Sequence, residues 1–207
     1  TRRSSDLQYH HIRYLRDMIR KKIVIGITGA SGAIYAENLV NRLHQHQDQV
    51  AELGIVLSEN AVKVRQHELG LPANSFAAGR IYDNKDFFAP FASGSSRYDV
   101  MIICPCTVGT LGRIAHGYAD DLIARTADVM LKENKKLILL LREMPFNLVH
   151  IENIKLLCQA GAIICPASPS FYSRPQNIDE LINTVTDKLL LLAGFEIKSY
   201  EWGNDGP

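Results

Sequence analysis

Lys22 to Ala33 reads KIVIGITGASGA, and the course of this segment decides the architecture. Lys22 to Thr28 is an apolar run without alternation, the pattern of a strand buried on both faces in a parallel sheet covered by helices. Thr28-Gly29-Ala30-Ser31-Gly32-Ala33 ends that strand, and a helix is expected from about Gly32 to Gln45. Two glycines let the backbone turn tightly and approach a ligand, while the helix start offers unpaired N–H groups and a positive dipole end to an anion. The turn is either a phosphate-binding loop or a plain tight turn in which Ser31 only caps the helix.

The same grammar repeats along the chain. Strands are expected at Leu53–Leu57, Tyr98–Cys104, Lys136–Leu141 and Ala162–Cys165. Helices are expected near Ser58–His67, Thr107–Ala115, Asp120–Lys132, Asn147–Ala160 and Ile178–Leu192. The fold class is therefore α/β: one doubly wound, mainly parallel open sheet with helices on both faces, Rossmann-like, over residues 22–195. Residues 1–21 form a basic extension and 196–207 a tail. In such sheets ligands gather outside the carboxyl ends of the strands, so the residues that follow each strand are the candidates for chemistry.

Composition sets the outer limits. The chain has 207 residues, 23 Lys+Arg against 22 Asp+Glu and 46% hydrophobic residues, enough for a full core without disulfide or structural metal. A net charge of +1 provides no global field for nucleic acid. The longest apolar runs, Leu137–Leu141 and Leu189–Ala193, fall far short of the roughly 18 to 20 residues of a membrane span. Cys104, Cys106, Cys158 and Cys165 form no CxxC pair and no metal-ligand spacing, so reduced thiols, no metal and a cytoplasmic setting are expected. Residues 1–22 carry seven basic side chains with Ile12, Leu15 and Ile19 at helical spacing. A surface helix is the preferred reading, a mitochondrial transit remnant or a cloning scar the alternatives.

After the third strand stands Cys104-Pro105-Cys106-Thr107-Val108-Gly109-Thr110, where Pro105 blocks continuation, Thr107 can cap a helix and small residues leave room for a flat ring. The helix at Asp120–Lys132 places Arg125, Val129 and Lys132 on one face. This is either an anion-facing stripe or a solvated face laced with ion pairs to Asp121 and Asp128. Arg142 and Glu143 leave the fourth strand toward opposite faces, a cation beside a carboxylate suited to charge stabilisation and proton transfer, or a local salt bridge. Phe171 and Tyr172 sit on a stiff Pro166–Pro175 loop, and Lys188 lies at the margin of the last helix's apolar stripe, where it snorkels to water or serves an internal phosphate. A nicotinamide site is disfavoured, because the second strand ends in Leu57-Ser58 where a ribose-binding carboxylate is wanted.

Taken together, TGASGAIYA (28–36), LSENA (57–61), APFASGSS (89–96), CPCTVGTLGRIAHG (104–117), DDLIARTADVMLKE (120–133), REMPFNLVHIENI (142–154) and PSFYSRPQ (169–176) resemble the flavin prenyltransferase family of the UbiX/Pad1 type, in matching order and spacing from Lys22 to about Gly194. The resemblance implies an enzyme that takes reduced FMN and dimethylallyl phosphate, or as in some relatives the pyrophosphate, joins the prenyl group to N5 and closes a ring at C6. It needs no metal, and its product, prenylated FMN, serves a UbiD-type decarboxylase. It further implies FMN contacts from Gly29, Ala30, Ser31, Ser58, Thr107, Val108, Gly109, Thr110 and Arg142. Lys132, Tyr172 and Lys188, with Arg142 and Arg125, would hold the prenyl phosphate. Glu143 would handle protons, Ser31 and Glu68 match active-site positions, and Phe87, Ser93 and Gly94 would wall the pocket. Relatives build their sites between subunits of a homododecamer.

The chemistry agrees with these residue types. Breaking an allylic C–O bond without a metal requires preorganised cations around the departing phosphate, and the allylic fragment needs an apolar enclosure that excludes water. The chain departs from the family pattern at Phe87, where some relatives have Trp, at Met144, where Thr or Ala is common, and in its basic N-terminal extension. The competing readings are a flavin-dependent cysteine decarboxylase, for which His116 lacks the expected Asn-rich context, and a non-catalytic flavin carrier or accessory subunit of an aromatic acid decarboxylase.

Overall fold

The computed structural model describes residues 20–72, 74–200 and 203; the proposed N-terminal helix lies outside them, apart from its last residues. The strands are β1 (Lys21–Ile27), β2 (Val50–Leu57), β3 (Arg80–Tyr82), β4 (Val100–Cys106), β5 (Lys136–Leu141) and β6 (Ile163–Pro166). The helices are α1 (Ala33–Gln45), α2 (Glu59–Leu69), α3 (Val108–Ala115), α4 (Leu122–Lys132), α5 (Leu148–Gln159) and α6 (Ile178–Ala193). All six strands are parallel in the order β3-β2-β1-β4-β5-β6. The order reverses between β1 and β4, which opens a crevice over their carboxyl ends.

Period-two alternation splits the strand residues between two cores. Val24, Met101, Ile103, Leu137 and Leu139 pack toward α3, α4 and α5, with Leu111, Ile123, Ala127 and Leu157 facing them. Ile23, Ile25, Ile55, Ile102, Ile138 and Leu140 pack toward α1 and α6, with Leu39, Leu43, Leu189 and Leu190 facing them. Both halves are apolar, so the strands show no alternation in sequence.

Several boundaries differ from the sequence reading. β2 begins three residues early, at Val50, because Val50, Ala51 and Glu52 extend the pairing with β1 while Ala51 and Glu52 are exposed and add nothing to the buried apolar run. β4 runs on through Pro105 to Cys106, since the pairing of Cys106 with Leu141 resumes after an irregularity. β3 was not expected: three residues, two of them exposed, carry no periodic signal. Cys104 and Cys106 are buried, and burial pushes the Cys104 thiol far up and that of Cys106 up to about 12. Cys165 is half-buried and Cys158 exposed, so only the first two are core thiols. No described helix is long and apolar enough to cross a membrane.

Candidate active site

Hydrogen bonds tie the strand ends around the crevice. Thr28, buried at the end of β1, donates from N and Oγ1 to the Pro105 carbonyl at 3.2 and 2.7 Å, and its Oγ1 accepts the Thr107 N–H at 2.9 Å. Arg142 N–H donates to the Cys106 carbonyl at 3.1 Å, and Ser58 N–H to the Ile27 carbonyl at 2.9 Å. The residues following β1, β2, β4 and β5 are thus held as one rim.

The helix starts on this rim are not equivalent. At α1, Gly32 takes φ 100°, a left-handed conformation that favours glycine. The N–H groups of Gly32 and Ala33 donate to Glu68 Oε2 at 3.0 and 2.8 Å. The anion expected at this helix is therefore supplied by the protein's own carboxylate, brought from the end of α2. Gly29 also has a structural reason, because a Cβ there would lie 2.5 Å from Asn60 Cβ. At α3, Thr107 caps through Oγ1, which accepts the Thr110 N–H at 3.1 Å. The N–H groups of Val108 and Gly109 have no partner among the described residues, and a Cβ on Gly109 would meet only Thr107 Oγ1, at 3.9 Å. This start remains open to an anion with a flat ring beside it. Ser58 caps α2 by accepting the Ala61 N–H at 3.1 Å, which leaves its O–H to donate.

Burial by itself would raise the Glu68 pKa, but the Ser31 hydroxyl, the Ala33 and Gly32 N–H groups and the Arg142 charge outweigh it and hold the carboxyl below its usual range. Its contribution to stability is then complete above the ordinary glutamate pKa and is lost as pH falls through the lower folded value. Glu68→Gln should cost about 1 kcal/mol at neutral pH, the scale of a helix-capping interaction. Melting curves should show a deficit of a few degrees that closes as both proteins are acidified; an equal deficit at pH 3 would contradict the capping role.

The Arg142 guanidinium has no hydrogen-bond partner among the described residues and is close enough to Glu68 and Tyr35 for its charge to act on both. Tyr35 was missed in sequence. Burial and the neighbouring Cys104 raise its pKa, against Arg142, so it presents a protonated phenol. Its position in the first turn after Gly32, whose added Cβ would lie 2.9 Å from the Tyr35 ring, was the available signal. Glu143 Oε1 accepts the Met144 N–H at 3.1 Å, leaving Oε2 for a ligand. No salt bridge joins Glu143 to Arg142.

Other expected residues lie elsewhere in the chain. Lys132 ends α4 four residues before β5 begins, whereas Arg142 follows its last residue. The length of β5 thus separates them by roughly 20 Å at about 3.3 Å per residue. Lys132 Nζ pairs with Glu133 Oε1 at 2.5 Å, and Gly94 packs so tightly on Glu133 that a Cβ would lie 2.2 Å from that oxygen. Ser93, Gly94 and Lys132 therefore gather at the amino edge of the sheet, far from the crevice. Arg125 lies between, its Nε on the Ala92 carbonyl at 3.1 Å and Nη1 on Asp128 at 3.0 Å. The stripe on α4 is thus partly ion-paired, though Asp121 caps the helix and binds Arg113 instead. Phe87 is 45% exposed on the loop after β3, and Tyr172 is 70% exposed on the loop after β6. Lys188, on α6, lies near Cys165 at the end of β6, where its charge counters the burial that raises the thiol.

The donor set at the crevice fits a phosphorylated flavin: open N–H groups at Val108 and Gly109, an unpaired guanidinium, hydroxyls at Ser31 and Ser58, and an unfilled surface at Gly109. Fold and site together define a Rossmann-like flavoprotein, and the Flavoprotein family model matches residues 11–190. Flavin prenyltransferase UbiX of Methanocaldococcus jannaschii is 41% identical over 185 residues, covering 88% of this chain and 98% of its own. The chain belongs to the flavin prenyltransferase family. Among solved structures, AnUbiX (PadA1) in complex with FMN and dimethylallyl pyrophosphate aligns with TM-score 0.80 at 34% identity, over 88% of this chain and 99% of that one. A dodecameric FMN-dependent UbiX-like decarboxylase from Escherichia coli O157:H7 aligns with TM-score 0.82 at 36% identity, over 87% and 98%.

Proposed function

We propose that this chain transfers a dimethylallyl group from dimethylallyl phosphate to N5 and C6 of reduced FMN, in the cytoplasm, and hands the prenylated flavin to a UbiD-type decarboxylase. The observation that carries the reading is the convergence of Arg142, Glu143, Ser31, Glu68 and the open α3 start at the switch point of the sheet. Gly29 and Ala30 shape the first turn beside the flavin, and Ser58 and Thr107 to Thr110 line its other side. The flavin's phosphate is assigned to the α3 start and to Arg142, because the α1 start already holds Glu68.

In the first step the allylic C–O bond breaks with its electron pair leaving on phosphate, and the new C–N bond takes its pair from N5, which releases a proton. Arg142, Tyr172, Lys188 and Lys132 stabilise the departing charge; Arg125 adds Nη2, which has no partner among the described residues. Ring closure then consumes one proton at the alkene and releases one from C6. Glu143, with Oε2 free, can carry both. Phe87 and Tyr172 enclose the allylic fragment against water.

Since Lys132, Ser93 and Gly94 lie at the far edge of the same chain, the complete site requires that edge from a neighbouring protomer. The dodecameric relative supports this assembly, and a closed homo-oligomer supplies the same junction at every site. Anoxic incubation with reduced FMN and dimethylallyl phosphate tests the reading. A flavin heavier by one C5 prenyl unit is the expected product, and unchanged FMN would favour a flavin carrier or accessory subunit.

A further inference from the structure

Thr110, in the first turn of α3, is 3% exposed and ends a short chain of hydroxyls. Thr107 Oγ1 donates to Thr110 Oγ1 at 3.0 Å, and Arg113 Nη2 donates to the same oxygen at 3.4 Å. A hydroxyl oxygen has two lone pairs and one hydrogen, so both acceptor sites of Thr110 are taken and its hydrogen is left to donate. That hydrogen has no acceptor among the described residues. It belongs to the same turn as the open N–H groups of Val108 and Gly109, and with them makes a set of donors that lacks an acceptor.

Arg113 reaches Thr110 from one turn further along α3, where it also holds the start of α4. Its Nη1 lies 2.6 Å from Asp120 Oδ1 and 2.7 Å from Asp121 Oδ2, while Asp121 Oδ1 caps α4 by accepting the Ala124 N–H at 2.8 Å. A plain tie between the two helices needs only Nη1; Nη2, turned to Thr110, is the part of the fork that such a tie leaves unused. Lys85 Nζ donates to the Asp120 carbonyl at 3.1 Å, so the cluster holds two cations and two carboxylates in balance. Without the guanidinium it turns net negative beside the helix start at which an anion is expected, where like charges repel at short range.

We propose that Arg113 is a positioning residue for the flavin phosphate. Through Nη2 it fixes Thr110 as a hydroxyl donor at the α3 start, and through Nη1 it cancels the Asp120 and Asp121 charges that would repel the phosphate. The proposal rests on the reading that places the phosphate at the α3 start, and adds to it a residue that acts through its neighbours. Lysine is not an equivalent, because a single ammonium cannot span the two carboxylates and the hydroxyl as the planar fork does.

The test is a fluorescence titration of the full chain, freed of flavin, with FMN and with riboflavin, which has the same ring and ribityl chain but no phosphate. Arg113→Gln should weaken FMN about tenfold and leave riboflavin within about twofold, since only the phosphate meets the lost donor and the unbalanced charge. Arg113→Lys keeps the charge without the fork and should fall between Arg113→Gln and wild type. Adding Asp120→Asn to Arg113→Gln restores the balance of charge and should recover about threefold of the lost FMN affinity. A purely structural role for Arg113 would weaken both flavins together, and that result, or full FMN affinity in Arg113→Gln, would overturn the proposal. A wild type that binds FMN no more tightly than riboflavin would overturn the phosphate's place at the α3 start and the proposal with it. Prenyl transfer by the wild type is scored separately, by the mass of the flavin product, so failure of that reading is distinguishable from failure of the Arg113 assignment.

Discussion

Lys132→Ala should lower prenyl transfer by about 10² to 10³, the usual consequence of removing one preorganised donor from a developing charge, while FMN binding persists. Flavin titration and single-turnover product formation measure the two separately; wild-type turnover in the variant would refute the role. The expected loss is large although Lys132 sits at the opposite edge of the sheet from Arg142, and this location makes the prediction sharper. If Lys132 acts across a protomer boundary, co-assembled Lys132→Ala and Arg142→Ala chains must regain function, because one kind of junction combines an intact Lys132 with an intact Arg142. Random mixing in equal amounts should restore about a quarter of the sites in a symmetric assembly. Mixed oligomers as inactive as either parent would rule out a shared site.

Glu143→Gln should allow the first bond to form and stall ring closure, slowing appearance of the cyclised product by about 10² to 10⁴, the range for loss of a general acid–base. The N5 adduct and the cyclised flavin are isomers, so mass alone does not distinguish them; chromatography with absorbance detection does. Accumulation of the open adduct is the expected result. Unimpaired closure would move the proton-carrying role to another group, with Glu68 the neighbouring candidate. Glutamine preserves the shape and the Oε1 acceptor that holds the Met144 N–H, so a folding defect is not the expected cause of failure.

Much of the rim was readable before any coordinates. The cap Thr107 and the glycine turn after β1 are local devices whose geometry depends on a few neighbouring dihedrals, and both stand where the residue pattern places them. Arg142 and Glu143 follow a strand, so their place at the carboxyl edge is implied by chain direction. The same logic, applied to Lys132, places it at the amino edge, because a helix that precedes a parallel strand must deliver the chain to the strand's start. A helical stripe of Arg125, Val129 and Lys132 records which face is shared and says nothing about which end of the sheet each residue reaches.

Sequence by itself determined the alternation of buried strands and helices, the Gly-rich turn and the residues that leave each strand, because burial periodicity and capping act over a few residues. Only the tertiary structure decided that Glu68, 36 residues from Gly32, occupies the α1 start, that the anion site falls to α3, and that Lys132 and Arg142 are parted by the length of β5. Those outcomes depend on how whole elements are laid across the sheet, and the packing that sets them joins residues far apart in the chain.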